Sequence, residues 1–296
     1  MPRPTILLTG AGGQVGGELA SLLAAHGDVV ATDRATLDLA DADAIVAAVR
    51  GAKPALIVNS GAYTAVDLAE KESASAHAVN AVAPRVLAEE AKRLGAVLIH
   101  YSTDYVFDGA RTTPYPEDAP TAPLNVYGAT KQEGERAIAA SGAHALVFRT
   151  SWVYGLTGRN FLLTIRRLAA ERDELRIVAD QIGVPNWSRM LAAATARIVD
   201  GGLAAMAARA GLYHLSSAGA TSWHGFARAI VGDAATPRVV PIATADYPTP
   251  ARRPAYGVLA TAKFEHAFGF ALPDWHDALE NCLHRPTAAP TFSAVD

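Results

Sequence analysis

The 296 residues contain a single cysteine, Cys282. An intramolecular disulfide is therefore excluded, and a reducing compartment is expected. No apolar run approaches the ~20 residues that a membrane-crossing helix needs. No leader-like segment is read at the start, because residues 6–9 pass straight into glycines, so a cytoplasmic location is expected. An excess of charge of one sign is also missing. The net charge of −3 gives no electrostatic reason to expect nucleic acid or an anionic membrane as partner. The nine histidines are scattered without metal-ligand spacing, no internal repeat is visible, and no metal is expected. Apolar residues are plentiful: half of the chain is hydrophobic, enough for a sizeable core in one large domain or two smaller ones.

Residues 5–9 (TILLT) read as a strand buried on both faces. They end at Gly10-Ala11-Gly12-Gly13-Gln14-Val15-Gly16-Gly17, and helical spacing follows over 18–25. Strand, glycine loop and helix in that order point to dinucleotide binding. Gly10, Gly13 and Gly16 permit the tight turn and let main-chain N–H groups approach a pyrophosphate at the helix N-terminus. A second strand over 29–32 ends at Asp33, whose carboxylate suits the ribose hydroxyls of NAD. Arg34 suits the 2′-phosphate of NADP, so the cofactor is left as NADPH by a slight balance, with NADH as the alternative. Further strands are read over 55–59 and 96–100, with helices over 42–50, 67–78 and 81–94 between them. This alternation predicts an α/β fold with a doubly wound parallel sheet. Ligands of such sheets sit beyond the C-terminal strand ends. Gly10, Asp33, Ser60 and Thr103 all fall at such ends, so one crevice is expected to collect them.

A proline-rich loop over 113–123 gives way to a helix over 125–140, which carries Tyr127-Gly128-Ala129-Thr130-Lys131. Residues four apart share a helix face, so the Tyr127 hydroxyl and the Lys131 ammonium can address one volume. A nearby cation lowers a phenol from its usual value near ~10. That predicts a tyrosine usable as a proton donor or acceptor. The same spacing is also common on solvated helices.

Taken together, the glycine loop, the hydroxyl residue after the fourth strand and Tyr-x-x-x-Lys resemble the extended short-chain dehydrogenase/reductases. Longer stretches resemble the branch that reduces dTDP-linked 4-keto-6-deoxysugars. Among these are Tyr63-Thr64-Ala65-Val66-Asp67, Ser102-Thr103-Asp104-Tyr105-Val106-Phe107-Asp108-Gly109 and Phe148-Arg149-Thr150-Ser151-Trp152. The resemblance implies hydride delivery to a C4 ketone, with Tyr127 protonating the developing alkoxide. Lys131 would hold the nicotinamide ribose and tune Tyr127, while Thr103 would hold the reacting oxygen. It further implies that Thr103, Asp104 and Trp152 contact the dTDP-sugar. Gly13, Gln14, Val15, Asp33, Asp38, Leu39, Gly61, Ala62, Tyr63 and Tyr101 would line the cofactor. Related sugar-nucleotide dehydratases carry an Asp-Glu pair after the threonine. Here Tyr105 follows Asp104, which disfavours that chemistry. An epimerase, a reductase of another nucleotide sugar, and a non-catalytic regulatory subunit that binds cofactor stay open.

The second half is less regular. A cofactor domain over 1–150 is expected, then a smaller substrate domain over 151–285 with segments free to interleave, and a frayed tail over 286–296. Arg252 and Arg253 are expected to be available to an anionic substrate. Three departures from the resembled pattern stand out. Some members form dimers around a magnesium ion held by glutamates. Glu18 matches one of these, but its partner position falls on Arg189, so no such metal is expected and monomer or homodimer stays open. Asn186 replaces a threonine, and Tyr256-Gly257 replaces an Asn-Ser pair in a region that faces substrate in relatives.

Overall fold

The structure is a computed structural model and describes residues 3–232, 237–284, 287 and 289–295. Six strands form the central sheet: β1 (Thr5–Thr9), β2 (Asp28–Thr32), β3 (Leu56–Asn59), β4 (Val97–Thr103), β5 (His144–Thr150) and β6 (Gly211–His214). Every pairing is parallel, in the order β6-β5-β4-β3-β1-β2. The fold is thus the doubly wound α/β sheet expected. Its central strands are apolar runs because both faces are covered, and alternate residues feed two cores. Ile6, Leu8, Val58, Ile99 and Phe148 face α1 (Gln14–Leu23) and a later helix, α5 (Ser188–Asp200). Leu7, Ile57, Leu98 and Val147 face α2 (Ala42–Ala52), α3 (Ala83–Leu94) and α4 (Val126–Ser141).

The chain leaves β1 toward β2 on one side and returns to β3 on the other. The strand order therefore reverses between β1 and β3, where ligands of such sheets bind. Gly10, at φ +73°, lets the two loops touch there. A Cβ on Gly10 would lie 2.5 Å from the Gly61 nitrogen, and one on Gly16 would lie 2.1 Å from the Gly10 carbonyl. Only glycine accommodates the first conformation without strain.

The sheet takes its sixth strand from past residue 150, and α5 packs on α1. Around these, residues 174–178 pair with 238–242, 182–183 with 221–222, and 153–154 with 186–187. Strand 238–242 tolerates Pro241 because it pairs on one side only. Of the tail expected to fray, the described part folds back. Ser293–Ala294 pairs with Phe270–Ala271, and the Phe292 ring lies 5.0 Å from that of Phe270. Burying that aromatic ring offsets the entropy of ordering the strand.

Candidate active site

The glycine loop delivers an open helix end. Gly13 is the N-cap of α1, no side chain caps it, and no acidic residue lies in the first turn. Its N–H groups are therefore left for an anion. Gln14 points away from the loop: its amide oxygen accepts from Asn160 at 2.9 Å and ties the loop to the second half of the chain. Val15 packs against the core. Asp33 is exposed at the end of β2. Its Oδ1 accepts from the N–H groups of Ala35 and Thr36 and from the Thr36 hydroxyl, which holds the carboxyl below its usual range. Arg34 is exposed beside it. Asp38 closes a turn by accepting from Ala40, and Leu39 lies against Gly61, where a Cβ would sit 2.4 Å from its Cδ1. Ala62 is half-buried beside it.

A clamp not read from the sequence holds the Gly61–Tyr63 loop. Asn80 is buried, its Oδ1 accepting from the Tyr63 N–H at 2.9 Å and its Nδ2 donating to the Tyr63 carbonyl at 3.0 Å. The same amide reaches the Thr130 hydroxyl on α4 at 3.2 Å. It sits in a π-turn, Ala78–Val82, which joins the helix Ser73–His77 to α3 without a gap, whereas the helix expected over 67–78 is broken by a turn at 70–72. Such turns favour functional positions, but nothing in the local composition marks this one.

Helix α4 is set by its cap and by two glycines. The Asn125 Oδ1 accepts from Gly128, and its Nδ2 donates to the Arg252 carbonyl. A Cβ on Gly128 would lie 2.1 Å from the Tyr105 carbonyl, and one on Gly134 would lie 2.2 Å from the Asn80 carbonyl. The helix therefore lies directly on the turn that follows β4 and on the π-turn. Tyr127 comes down beside Thr103 and Asp104, its ring edge-on to Tyr105 at 5.7 Å. The Thr103 hydroxyl donates to Asp104 Oδ1 at 3.1 Å and accepts from the Tyr105 N–H.

Lys131 is one turn further along and only 2 % exposed. Its Nζ donates to the Tyr101 carbonyl at 2.6 Å and lies 3.2 Å from His100 Nε2. Burial lowers it to about 8, against the pull of the Glu135 carboxylate. The expectation that this ammonium would lower the Tyr127 phenol is not met. Burial pushes Tyr127 up to about 12, the Thr103 hydroxyl pulls it down, and the Asp104 charge adds to the rise. Tyr127 is therefore a protonated phenol at neutral pH. Tyr101 contributes its carbonyl rather than its ring. The side chain turns to the other face of the sheet, where its hydroxyl meets Thr195 at 2.6 Å, because successive strand residues point to opposite faces.

Asp104 is buried and its Oδ2 has no partner. A Cβ on Gly257 would lie 2.4 Å from that oxygen, so the glycine leaves the carboxyl its room. Burial raises the carboxyl from 3.8 to about 7. A folded-state value above the unfolded one means that the folded chain holds the proton more tightly. Stability is then lost as pH rises from about 4 to about 7. Asp104→Asn removes this dependence. We predict that it raises the melting temperature at pH 8, by the equivalent of up to roughly 4 kcal/mol, and brings little gain at pH 4. An equal difference at both pH values would remove the assignment.

Trp152 has φ +42°, a conformation that costs energy for a residue with a side chain. Its ring stacks on Trp223 at 3.5 Å and 9°, and Gly183 underlies the indole, where a Cβ would be 2.5 Å away. It is a half-exposed platform rather than a core residue. The Asn186 substitution has a structural role beside it. This buried amide donates to the Ser151 and Val184 carbonyls and accepts from the Ser217 N–H, fixing the turn that carries Trp152. Arg253 is not free for a substrate as expected. It pairs with Asp67 at 2.9 Å, while Arg252 stays exposed. Arg189 pairs with Glu18 at 3.1 Å. Among the described residues no cluster of metal-ligating side chains occurs, and no helix is long and apolar enough to cross a membrane.

Three comparisons bear on this arrangement. A family model described as the RmlD substrate binding domain matches residues 4–287. The dTDP-4-dehydrorhamnose reductase of Burkholderia thailandensis is 49 % identical over 290 residues, covering 94 % of this chain and 97 % of that protein. The Escherichia coli K12 protein of the same name is 43 % identical over 291 residues, with 94 % and 97 % covered. The crystal structure of the Bacillus anthracis dTDP-4-dehydrorhamnose reductase in complex with NADP superposes with a TM-score of 0.89. It is 34 % identical and covers 96 % of this chain and 99 % of that one. With the resemblance in sequence, the sheet and the matched length in agreement, the chain belongs to the RmlD family of dTDP-4-dehydrorhamnose reductases.

Proposed function

We propose that this chain reduces the C4 ketone of dTDP-4-dehydro-L-rhamnose to dTDP-L-rhamnose with NADPH, and that Tyr127 is the proton donor. One observation carries the reading. The half-buried Tyr127 phenol, protonated at neutral pH, stands beside the Thr103 hydroxyl at the C-terminal end of β4, with Lys131 one helical turn along and its Nζ on the Tyr101 carbonyl, on the same sheet edge as the glycine loop.

The loop fits a dinucleotide. Gly10 and Gly16 leave no room for a Cβ, and the uncapped N-terminus of α1 would meet the pyrophosphate. Gly10, Gly13 and Gly16 border it, Asp33 and Arg34 meet the adenosine ribose, and Leu39 with Gly61 to Tyr63 line the adenine side. Bound there, NADPH supplies the hydride. The chain's own work is with the ketone. Thr103 donates a hydrogen bond to the carbonyl oxygen and holds it within reach of Tyr127, whose phenol hands over its proton as negative charge develops. Lys131, one helical turn from the phenol, would offer positive charge and an N–H to the nicotinamide ribose. Trp152, half-exposed and stacked on Trp223, would contact the sugar with its open side, and residues past 150 would supply most of the sugar side.

The test is NADPH and NADH oxidation with dTDP-4-dehydro-L-rhamnose, with the product stereochemistry determined. Consumption with another nucleotide sugar only would replace the substrate, and binding of cofactor without turnover would end the enzymatic reading. Asp33→Ala is expected to weaken NADH more than NADPH, measured by direct titration. An equal loss would make Asp33 only the anchor of its turn.

A further inference from the structure

Thr9, Asn59 and His100 stand opposite one another on three adjacent parallel strands, Thr9 registered with Asn59 and Asn59 with His100. Register partners point to the same face of a sheet, here the face that meets α4. All three are buried, and the residues two places before them, Leu7, Ile57 and Leu98, are apolar core. The polar atoms form one continuous row. The Thr9 hydroxyl lies 2.7 Å from Asn59 Oδ1, Asn59 Nδ2 lies 3.0 Å from His100 Nδ1, and His100 Nε2 lies 3.2 Å from Lys131 Nζ. Burying such groups is unfavourable unless each finds a partner, and apolar residues would fill the same rung without that cost. What the row reaches at its end is the Lys131 Nζ.

We propose that His100, held in turn by Asn59 and Thr9, is a positioning residue for Lys131, fixing its Nζ at the Tyr101 carbonyl, one helical turn from Tyr127, and favouring its charged form. The proposal rests on the reading of Tyr127 and Lys131 given above. The imidazole is well suited to this task. Burial and the neighbouring lysine keep it neutral, far below its usual titration range, so it brings no competing charge. A carboxamide offers a donor on one arm and an acceptor on the other. As placed, Asn59 Nδ2 faces Nδ1; turned over, the carboxamide accepts from Nδ1–H with Oδ1 and donates to the Thr9 hydroxyl with Nδ2, and this arrangement leaves Nε2 to accept from the ammonium. A lysine ammonium has three N–H donors. The Tyr101 carbonyl and His100 take two, and the third is left for a ligand. The groups around Nζ are the His100 ring and the Tyr101 carbonyl from β4 and the Glu135 carboxylate from α4, with Arg149 of β5 behind Glu135. Of these, only His100 and the Tyr101 carbonyl accept from it directly.

The experiment compares His100→Leu, which fills the volume without an acceptor, with His100→Gln, which places an amide oxygen near Nε2. Two readouts are taken on the full chain. One is the pH dependence of sugar-dependent NADPH oxidation. The other is the titration of Lys131 by carbon-13 NMR of labelled lysine in the free chain, with the signal assigned by its loss in Lys131→Arg. In the leucine variant the alkaline limb of the rate profile and the Lys131 titration are both expected to move down by about one pH unit. kcat at pH 8 should fall about tenfold, with KM for the sugar within about twofold. The glutamine variant should restore most of each. A Lys131 titration unmoved in His100→Leu, or a glutamine variant as impaired as the leucine one, would overturn the proposal. If the leucine chain does not fold, Asn59→Ala takes its place with the same expected direction. If the parent chain reduces no nucleotide sugar, the functional reading falls while the Lys131 titration still decides the role of His100.

Discussion

Tyr127→Phe is expected to lower kcat by about a thousandfold while NADPH binds within about twofold of the parent affinity, the loss ordinarily seen when a positioned general acid is deleted. The substitution is unusually clean here. The ring keeps its edge-on contact with Tyr105 at 5.7 Å, so no cavity forms. Thr103 keeps its bonds to Asp104 and to the Tyr105 N–H, so no buried partner is orphaned. Because burial holds the phenol near 12, it stays protonated through the range in which Lys131 titrates. The alkaline limb of the rate profile should therefore report Lys131, near 8, and not Tyr127. Steady-state rates with a fluorescence titration of NADPH make the measurement. A Phe variant that retains more than about a tenth of the rate would mean that the proton comes from another group.

How far the sequence could be read depends on whether a feature is local. The strands over 5–9 and 55–59 were legible because parallel strands covered on both faces are continuous apolar runs, whereas 29–32, a largely exposed edge strand, was legible from its β-branched residues. The glycine loop was legible because its conformational demand falls on neighbouring residues. The place of 211–214 beside β5 was not, since no local property says which edge a strand joins. The π-turn at Asn80 was hidden for the same reason, because its partners lie at Tyr63 and Thr130. Tyr127 and Lys131 were found by their spacing. Spacing fixes which face a side chain occupies but not where its end goes. The ammonium turns to the Tyr101 carbonyl and into the interior, and burial then moves the phenol up rather than down. His100 ends an otherwise apolar strand run, a signal that was present but passed over. Arg253 was read as free because Asp67, its partner, lies far away in the chain.

The interior beneath α4 also sets the stability expectation with the largest effect. Glu135 lies one turn beyond Lys131 and receives Arg149 in a two-pronged pair, Nε to Oε1 at 2.8 Å and Nη2 to Oε2 at 2.6 Å. Both side chains are at most 7 % exposed. Ser102 donates to the same carboxylate, and the guanidinium lies 5.0 Å above the Phe107 ring. Removing one member leaves the other as an unpaired charge away from water, so Arg149→Met or Glu135→Leu alone should cost about 3–5 kcal/mol in urea unfolding. The double variant Glu135→Leu/Arg149→Met should recover most of that loss, because matched apolar groups replace a buried pair with little penalty. A single variant costing under about 1 kcal/mol, or a double variant no better than the worse single, would contradict this. Recovery of stability should not extend to turnover. The Glu135 carboxylate favours the Lys131 ammonium, and leucine cannot. The double variant is thus expected to fold well and yet lose activity at lower pH than the parent. Such a result would mean the pair is kept for the charge on Lys131 rather than for the fold.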